Sequence, residues 1–372
     1  MTDSPLSTAD SQGQSRFPCG ECGASLVYKP GTASLACEYC GHVNAIAPGG
    51  APVAEEDFLA QLARLEAGEA TTERIRAKCD ACAAEVDPPA NVTAFACPFC
   101  GSDIVATAKS VRQIKPRAVL PFKVERPAAL ALFQKWLRSR WFAPNALRRF
   151  ARVDHRLSGI YVPCWTYDSR TFSEYTGQRG DDYWDTETYT VQENGRTVTR
   201  TRQARRTRWT SVRGSVRNQF DDLLVLASGS LPKKYSERLE PWDLANLVPY
   251  SDAYLSGFQA ESYQVDLAAG FETAKGLMEP KIRSTICADI GGDHQRIDSV
   301  RTRYFDITFK HILLPVWISS YRYRARVFRF LVNARTGEVQ GERPYSWIKI
   351  TVAVLGAAAI VAAIVFFATR GG

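Results

Sequence analysis

Eight of the ten cysteines fall into two copies of one spacing. Cys19-x2-Cys22 is followed after fourteen residues by Cys37-x2-Cys40, and Cys79-x2-Cys82 after fourteen residues by Cys97-x2-Cys100. Each cysteine of the second set lies sixty positions after its counterpart, and the flanks repeat: Leu35-Ala36-Cys37-Glu38-Tyr39-Cys40-Gly41 against Phe95-Ala96-Cys97-Pro98-Phe99-Cys100-Gly101. A CxxC knuckle aims two thiolates at one point, and two knuckles joined by a short hairpin close a tetrahedral zinc site. Gly20, Gly23, Gly41 and Gly101 suit the knuckles, where backbone passes close to sulfur and positive φ is useful. A module this small lacks the core to fold by itself, so metal binding supplies much of its folding free energy. Four thiolates leave no open position for water or substrate. The pattern therefore predicts two structural Zn2+ ions held by these eight cysteines. Disulfides are the competing use of cysteine. No signal peptide precedes the motifs, and reduced thiols imply a cytosolic face. No thioredoxin-like βαβ pattern surrounds either pair, which argues against redox chemistry.

The other constraint is C-terminal. Ile350 to Ala368 is nineteen residues without a charge, about 28 Å as a helix and close to the thickness of a bilayer's hydrocarbon core. Lys349 precedes the run, Arg370 follows it, and Tyr345 and Trp347 sit where interfacial aromatics belong. The sequence predicts one transmembrane helix over 348–368 and a tail-anchored protein in contact with membrane lipid. Arg335, Arg343 and Lys349 before the span, against Arg370 after it, place the N-terminal domains in the cytoplasm by the positive-inside rule. Gly356 and its neighbouring alanines would let two such helices approach closely.

The chain carries +8, unevenly spread. Residues 1–110 hold 7 Lys/Arg against 14 Asp/Glu, a net of −7, which leaves +15 for the remainder. Two tetrathiolate zinc sites would add about −2 each to the acidic part. Nucleic-acid affinity rests on cations facing phosphate, so the ribbons read as protein-binding or spacer modules. The basic character peaks in Arg196, Arg200, Arg202, Arg205, Arg206, Arg208, Arg213 and Arg217, with Trp209 among them. Three readings compete for this run: a solvated hairpin face, contact with anionic headgroups, and nucleic-acid binding. The last is not favoured, because no RRM, helix-turn-helix or OB signature accompanies it.

Patterning divides the chain into a polar tail (1–16), ribbon 1 (17–47), a linker with a short helix at Glu55–Ala67 able to pack on a ribbon (48–77), ribbon 2 (78–106), a basic domain (111–345) and the span. In the basic domain, helices are expected at Pro127–Phe142, Pro241–Leu247 and Ser262–Ala288. Strands are expected at Ile160–Tyr167, Arg170–Gly177, Asp182–Gln192, Thr197–Trp209, Phe220–Ala227, Asp298–Lys310, Leu313–Arg322 and Val327–Asn333. Glu193-Asn194-Gly195 is a hairpin turn. Pro163-Cys164-Trp165 and Pro315-Val316-Trp317 are echoes of one another, each after a helix and leading into an aromatic-rich hairpin. The fold class is α+β: two zinc ribbons, a helix-plus-antiparallel-sheet domain whose duplication the echo leaves open, and one C-terminal transmembrane helix. Pro in each echo points to a strand edge or bulge, and the tryptophans to core.

No catalytic constellation is present: no G-x4-G-K-[ST] loop, no G-x-G-x-x-G after a strand, no H-E-x-x-H. Gly291-Gly292-Asp293-His294 reads as a tight turn, and His42 as a surface group or one that supports a ligand rather than a ligand itself. The ribbon cysteines, Leu314-Pro315-Val316-Trp317 with Tyr321-Arg322-Tyr323, and Val332-Asn333-Ala334-Arg335-Thr336-Gly337 resemble those of bacterial membrane proteins with N-terminal TFIIB-type zinc ribbons and a C-terminal transmembrane helix. Many of these carry the label primosomal protein N′, superfamily II helicase. The stretch Val332–Val339 also resembles the closing strand-turn of PepSY-like domains. The resemblance implies zinc and membrane attachment. Helicase action needs an NTP-binding loop, which is not present, so no ATPase activity is expected. The resulting expectation is a non-enzymatic adaptor at the inner membrane, recruiting a protein partner through its ribbons. The alternative is a membrane-tethered nucleic-acid-binding protein using the arginine-rich domain.

Overall fold

The computed structural model describes residues 8–9, 15–47, 53–68, 72–79, 84–86, 94–99, 102–105, 109–144, 157–193, 196–231, 233–236, 238–323 and 326–370. Expectations resting on Cys82, Cys100, Gly101 and Asn194-Gly195 lie outside these residues, as does most of the N-terminal tail.

The first ribbon is a meander of β1 (Leu26–Tyr28), β2 (Ser34–Cys37) and β3 (Val43–Ala45). After it come β4 (Glu56–Asp57), helix α1 (Phe58–Glu66), β5 (Ala118–Val119) and helix α2 (Arg126–Arg138). Two long strands follow, β6 (Ser158–Glu193) and β7 (Arg196–Leu226), then β8 (Gln259–Ala260) and helix α3 (Leu267–Ile290). A third long strand, β9 (His294–Tyr323), leads through β10 (Arg326–Asn333) and β11 (Val339–Gly341) to helix α4 (Trp347–Arg370).

β6 is the centre of the sheet, antiparallel to β7 on one side and to β9 on the other. The segments expected as separate short strands run on without a break. Alternation explains this: buried Thr171, Ser173 and Tyr175 share one face, and nothing between them breaks the period of two. The gap between Tyr167 and Arg170 is a bulge, whereas 210–219 and 311–312 pair in continuous register. Register shifts at Asp168 in both ladders, and Asp222 on β7 and Asp306 on β9 adopt φ of 49° and 48°. The Asp168 carboxylate accepts the Asp222 N–H at 2.6 Å, which holds the bulge. Beneath the sheet, α3 buries Leu267, Phe271, Ala274, Met278, Ile282, Ile286 and Ile290, one stripe at helical spacing. It begins later than its pattern suggests because Asp266 caps it, accepting from Ala269 N at 2.7 Å.

Both Pro-x-Trp prolines lie inside long strands rather than at edges. Each stands where its strand changes neighbour on one side. β6 pairs parallel with β8 at Ile160 and Tyr161 and with β7 from Cys164 onward, and Pro163 is between them. β9 pairs parallel with β5 at Ile312 and Leu313 and with β10 from Val316 onward, and Pro315 is between them. A missing N–H costs nothing at such a handover. Each proline carbonyl is still used, Pro163 by Ala227 N at 3.0 Å and Pro315 by Ala334 N at 3.1 Å.

Two expectations change. Helix α1 does not lie on a ribbon: β4 pairs with β9, and Phe58 packs on Phe271 of α3 at 4.9 Å between ring centroids. The strand Thr72–Lys78 begins within the stretch read as linker, pairing with Glu85–Val86 and with Lys109–Gln113, so the second ribbon's sheet extends beyond 78–106 at both ends.

Candidate zinc centre and neighbouring surfaces

The thiols of Cys19, Cys22, Cys37 and Cys40 lie within 4.8 Å of one another. Cys19 Sγ is 3.5 Å from Cys40 Sγ, and Cys22 Sγ is 3.5 Å from Cys37 Sγ. A disulfide needs about 2.05 Å, whereas a tetrahedral zinc with Zn–S near 2.3 Å has sulfurs about 3.8 Å apart. The donor set thus fits Zn2+, and His42 is not part of it. Local backbone dictates the arrangement. Cys19 N donates to Ala24 O at 2.7 Å and Cys37 N to His42 O at 2.8 Å, while Gly23 and Gly41 take φ of 73° and 75° to turn each knuckle. Amides of Cys40 and Tyr39 aimed at Cys37 hold its thiol down at about 6, so this sulfur is readily a thiolate.

The described half of the second ribbon repeats these bonds in the same sixty-residue register. Cys79 N donates to Ala84 O at 2.9 Å and Cys97 N to Ser102 O at 2.7 Å. Cys79 and Cys97 are buried, as Cys19 and Cys37 are.

Neither ribbon hangs free. Leu26, Tyr28 and Leu35 join one hydrophobic core with α2, Trp317 and Phe330. Tyr28 N donates to Ser256 O at 3.0 Å, the Tyr28 hydroxyl donates to Phe122 O at 3.2 Å, and its ring meets Tyr254 at 5.3 Å. The second ribbon's Val86, Cys97 and Phe99 share a core with Ile160, Val162, Val316 and Leu331. This docking leaves no local signature, because Leu26 and Tyr28 alternate as they would in any half-buried strand. The knuckle tips differ in consequence: Tyr39 is 86% exposed, and its counterpart Phe99 is 0% exposed.

A second acidic group was not foreseen. Glu55, Asp168 and Asp221 bring carboxylates within 4.8 Å of one another. Lys310 occupies the same corner, 3.1 Å from Glu55 and 2.6 Å from Asp222. The arrangement serves as an ion-pair lock that ties the segment before α1 to the sheet.

The arginine run occupies β7. Beyond the last β9 pair, Gly180↔His294, β6 and β7 continue as a two-stranded arm, Asp181–Glu193 with Arg196–Arg208, about 40 Å long. At the base a side chain at Gly180 would collide with Thr207 and Trp209, and Arg296 stacks on Trp209 at 3.8 Å. Six of the eight arginines lie on this arm. The opposite strand carries Asp181, Asp182, Asp185 and Glu187. Arg202 and Arg206 reach Glu187 at 2.9 and 2.7 Å, Arg206 reaches Asp185 at 3.1 Å, and Arg205 pairs with Asp182. Arg208 stacks on Tyr183 at 5.1 Å, Arg196 stands opposite Glu193, and Arg200 opposite Tyr189. Arg213 and Arg217 belong to the three-stranded part, with Arg217 over Phe172 at 5.7 Å. Three of the eight arginines, Arg202, Arg205 and Arg206, are thus paired with carboxylates that the hairpin brings alongside.

The C-terminal helix stands clear of the domain. Trp347–Ala368 has a mean hydropathy of 2.7 and is 0% buried, which makes it a candidate membrane anchor.

The chain is 26% identical over 339 residues to "Uncharacterized protein YdjG" of Bacillus subtilis (strain 168), in an alignment covering 90% of this chain and 91% of that protein. No family model matches the chain. No solved structure matches it.

Proposed function

We propose that the protein is a non-enzymatic, membrane-anchored interaction protein that displays its β-arm to a protein partner on the cytoplasmic side. The chain is read as tail-anchored and as similar to the bacterial TFIIB-type zinc-ribbon membrane proteins, with two structural Zn2+ ions. Cys19, Cys22, Cys37 and Cys40 hold the first. Cys79, Cys82, Cys97 and Cys100 hold the second, a reading supported by the repeated knuckle bonds. Both ribbons are spent on the domain's own cores, so they act as braces, and the contact role passes to the arm.

One observation carries this reading: the hairpin continues about 40 Å past its last neighbouring strand, solvated on both faces, with Trp184 69% exposed. Isolated two-stranded ribbons are marginal in water, and this one is held by ion pairs and rooted in a three-stranded sheet. Near-balanced charge along the arm suits a protein surface better than phosphate.

The test replaces 182–207 with an Asn-Gly turn in the full chain, reconstituted in nanodiscs. Zinc content and membrane insertion are expected to persist, while a protein partner crosslinked to the intact chain in its native membrane is lost. Steeply salt-dependent DNA or RNA binding that disappears with the arm would instead support the nucleic-acid alternative.

A further inference from the structure

The segment that ends α2 is fastened to the root of α4. Ser346 N donates to Phe142 O at 2.8 Å. The Lys349 ammonium donates to Trp141 O at 2.9 Å and to Ala143 O at 2.8 Å. Lys349 is the third residue of α4, so these carbonyls lie within about one helical turn of its start. If α4 spans a bilayer, its 24 residues cover about 36 Å, more than the roughly 30 Å of hydrocarbon. The first turn of α4 and the Trp141 segment tied to it therefore stand at the level of the headgroups.

The chemistry of that face matches its level. Trp141 is 62% exposed, beside Tyr345 at 58%, Trp347 at 80% and Ile348 at 78%. Aromatic rings with an apolar body and a polar edge favour the membrane interface. Residues 126–144 carry Arg126, Lys135, Arg138 and Arg140 and no Asp or Glu. Arg343 stacks on Tyr345 at 5.3 Å and Arg140 on Trp136 at 5.1 Å. Cations held near an anionic leaflet are attracted to its headgroups.

We infer that the α2–α4 junction is a lipid-docking face: Trp141 enters the interfacial region of the bilayer, Lys135, Arg138 and Arg140 meet anionic headgroups, and the domain is held in one orientation above the membrane. The inference rests on the reading of α4 as a span. It also moves lipid contact from the arginine run to the helix junction.

The test uses the full chain in nanodiscs of brominated phosphatidylcholine, with and without phosphatidylglycerol, and compares tryptophan quenching in the wild type, Trp141→Phe and Trp347→Phe. Both positions are exposed, so both variants are expected to fold. Each substitution should remove a distinct quenched component, and the Trp141 component should deepen when phosphatidylglycerol is added. Loss of quenching with Trp347→Phe but no change with Trp141→Phe would overturn the docking face while leaving the span intact. No quenched component at either position would overturn the span and the docking face together. A Trp141 component indifferent to phosphatidylglycerol would overturn the anionic part of the inference.

Discussion

Val162 pairs with Leu314 in the ladder between β6 and β9, and each immediately precedes the proline of a Pro-x-Trp unit. Around this pair the two units exchange equivalent contacts. Trp165 donates its indole N–H to Val265 O at 2.9 Å, two residues before α3 begins. Trp317 donates to Val124 O at 2.8 Å, two residues before α2 begins. Leu120 N reaches Leu313 O and Glu261 N reaches Tyr161 O, both at 2.9 Å. The strand of each unit thus fixes the helix start of the other, so neither unit is complete alone.

This reciprocity makes the two tryptophans energetic equivalents. Trp165→Phe and Trp317→Phe each strand a backbone carbonyl at a helix entry, at a cost of about 1–3 kcal/mol. Urea unfolding of the two variants should show losses similar to one another. A large loss for one with none for the other would break the equivalence.

The knuckle tips should behave oppositely. Tyr39→Ala removes an exposed ring and is expected to change stability by less than about 0.5 kcal/mol. Phe99→Ala empties a buried site and is expected to cost about 3–5 kcal/mol. Thermal unfolding of both variants checks the contrast.

Zinc removal should reach beyond the cysteines. The ribbon strand β1 is bonded to Ser256 and packed on Tyr254. Chelation is expected to raise hydrogen exchange in 26–37 and 253–258 together, before α3 loses protection. Exchange confined to 17–47 would mean that the ribbon is an independent module.

The carboxylate lock sets a pH response. Burial first, then the hydrogen-bonded Glu55, raises the Asp168 carboxyl to about 7. Glu55, held by Asp168, Thr308 and Lys310, falls to about 2. The pair therefore keeps one proton, on Asp168. A carboxyl raised in the folded state favours folding below its unfolded pKa near 4, and that contribution is lost as pH climbs through about 7. Tm should drift down between about pH 5 and pH 8 in the wild type, and less so in Asp168→Asn. Equal slopes in the two proteins would remove Asp168 from the account.

Legibility followed the range of the physics. Cysteine spacing and the apolar terminal run are local patterns, and the Cys19–Cys40 group and the terminal helix appear where the sequence places them, while α3 begins at Leu267 rather than Ser262. Long-range pairings were out of reach. Nothing in Leu26 or Tyr28 says which surface they cover. Asp168 looks like a residue between two strands until the Asp222 N–H meets its carboxylate across the ladder with β7. The arginine run stayed open to three readings for the same reason: its charge is legible along the chain, but the carboxylates that pair with Arg202, Arg205 and Arg206 arrive only when the hairpin closes.

The central claim is that the arm is the protein's contact surface. It is tested most directly by a photo-crosslinking residue at Trp184, with one at Leu277 on the outer face of α3 as control, since both positions are exposed. In the full chain irradiated in its native membrane, the account predicts a discrete, nuclease-resistant protein adduct from position 184 and none from 277. Adducts absent from 184, or removed by nuclease, would contradict it.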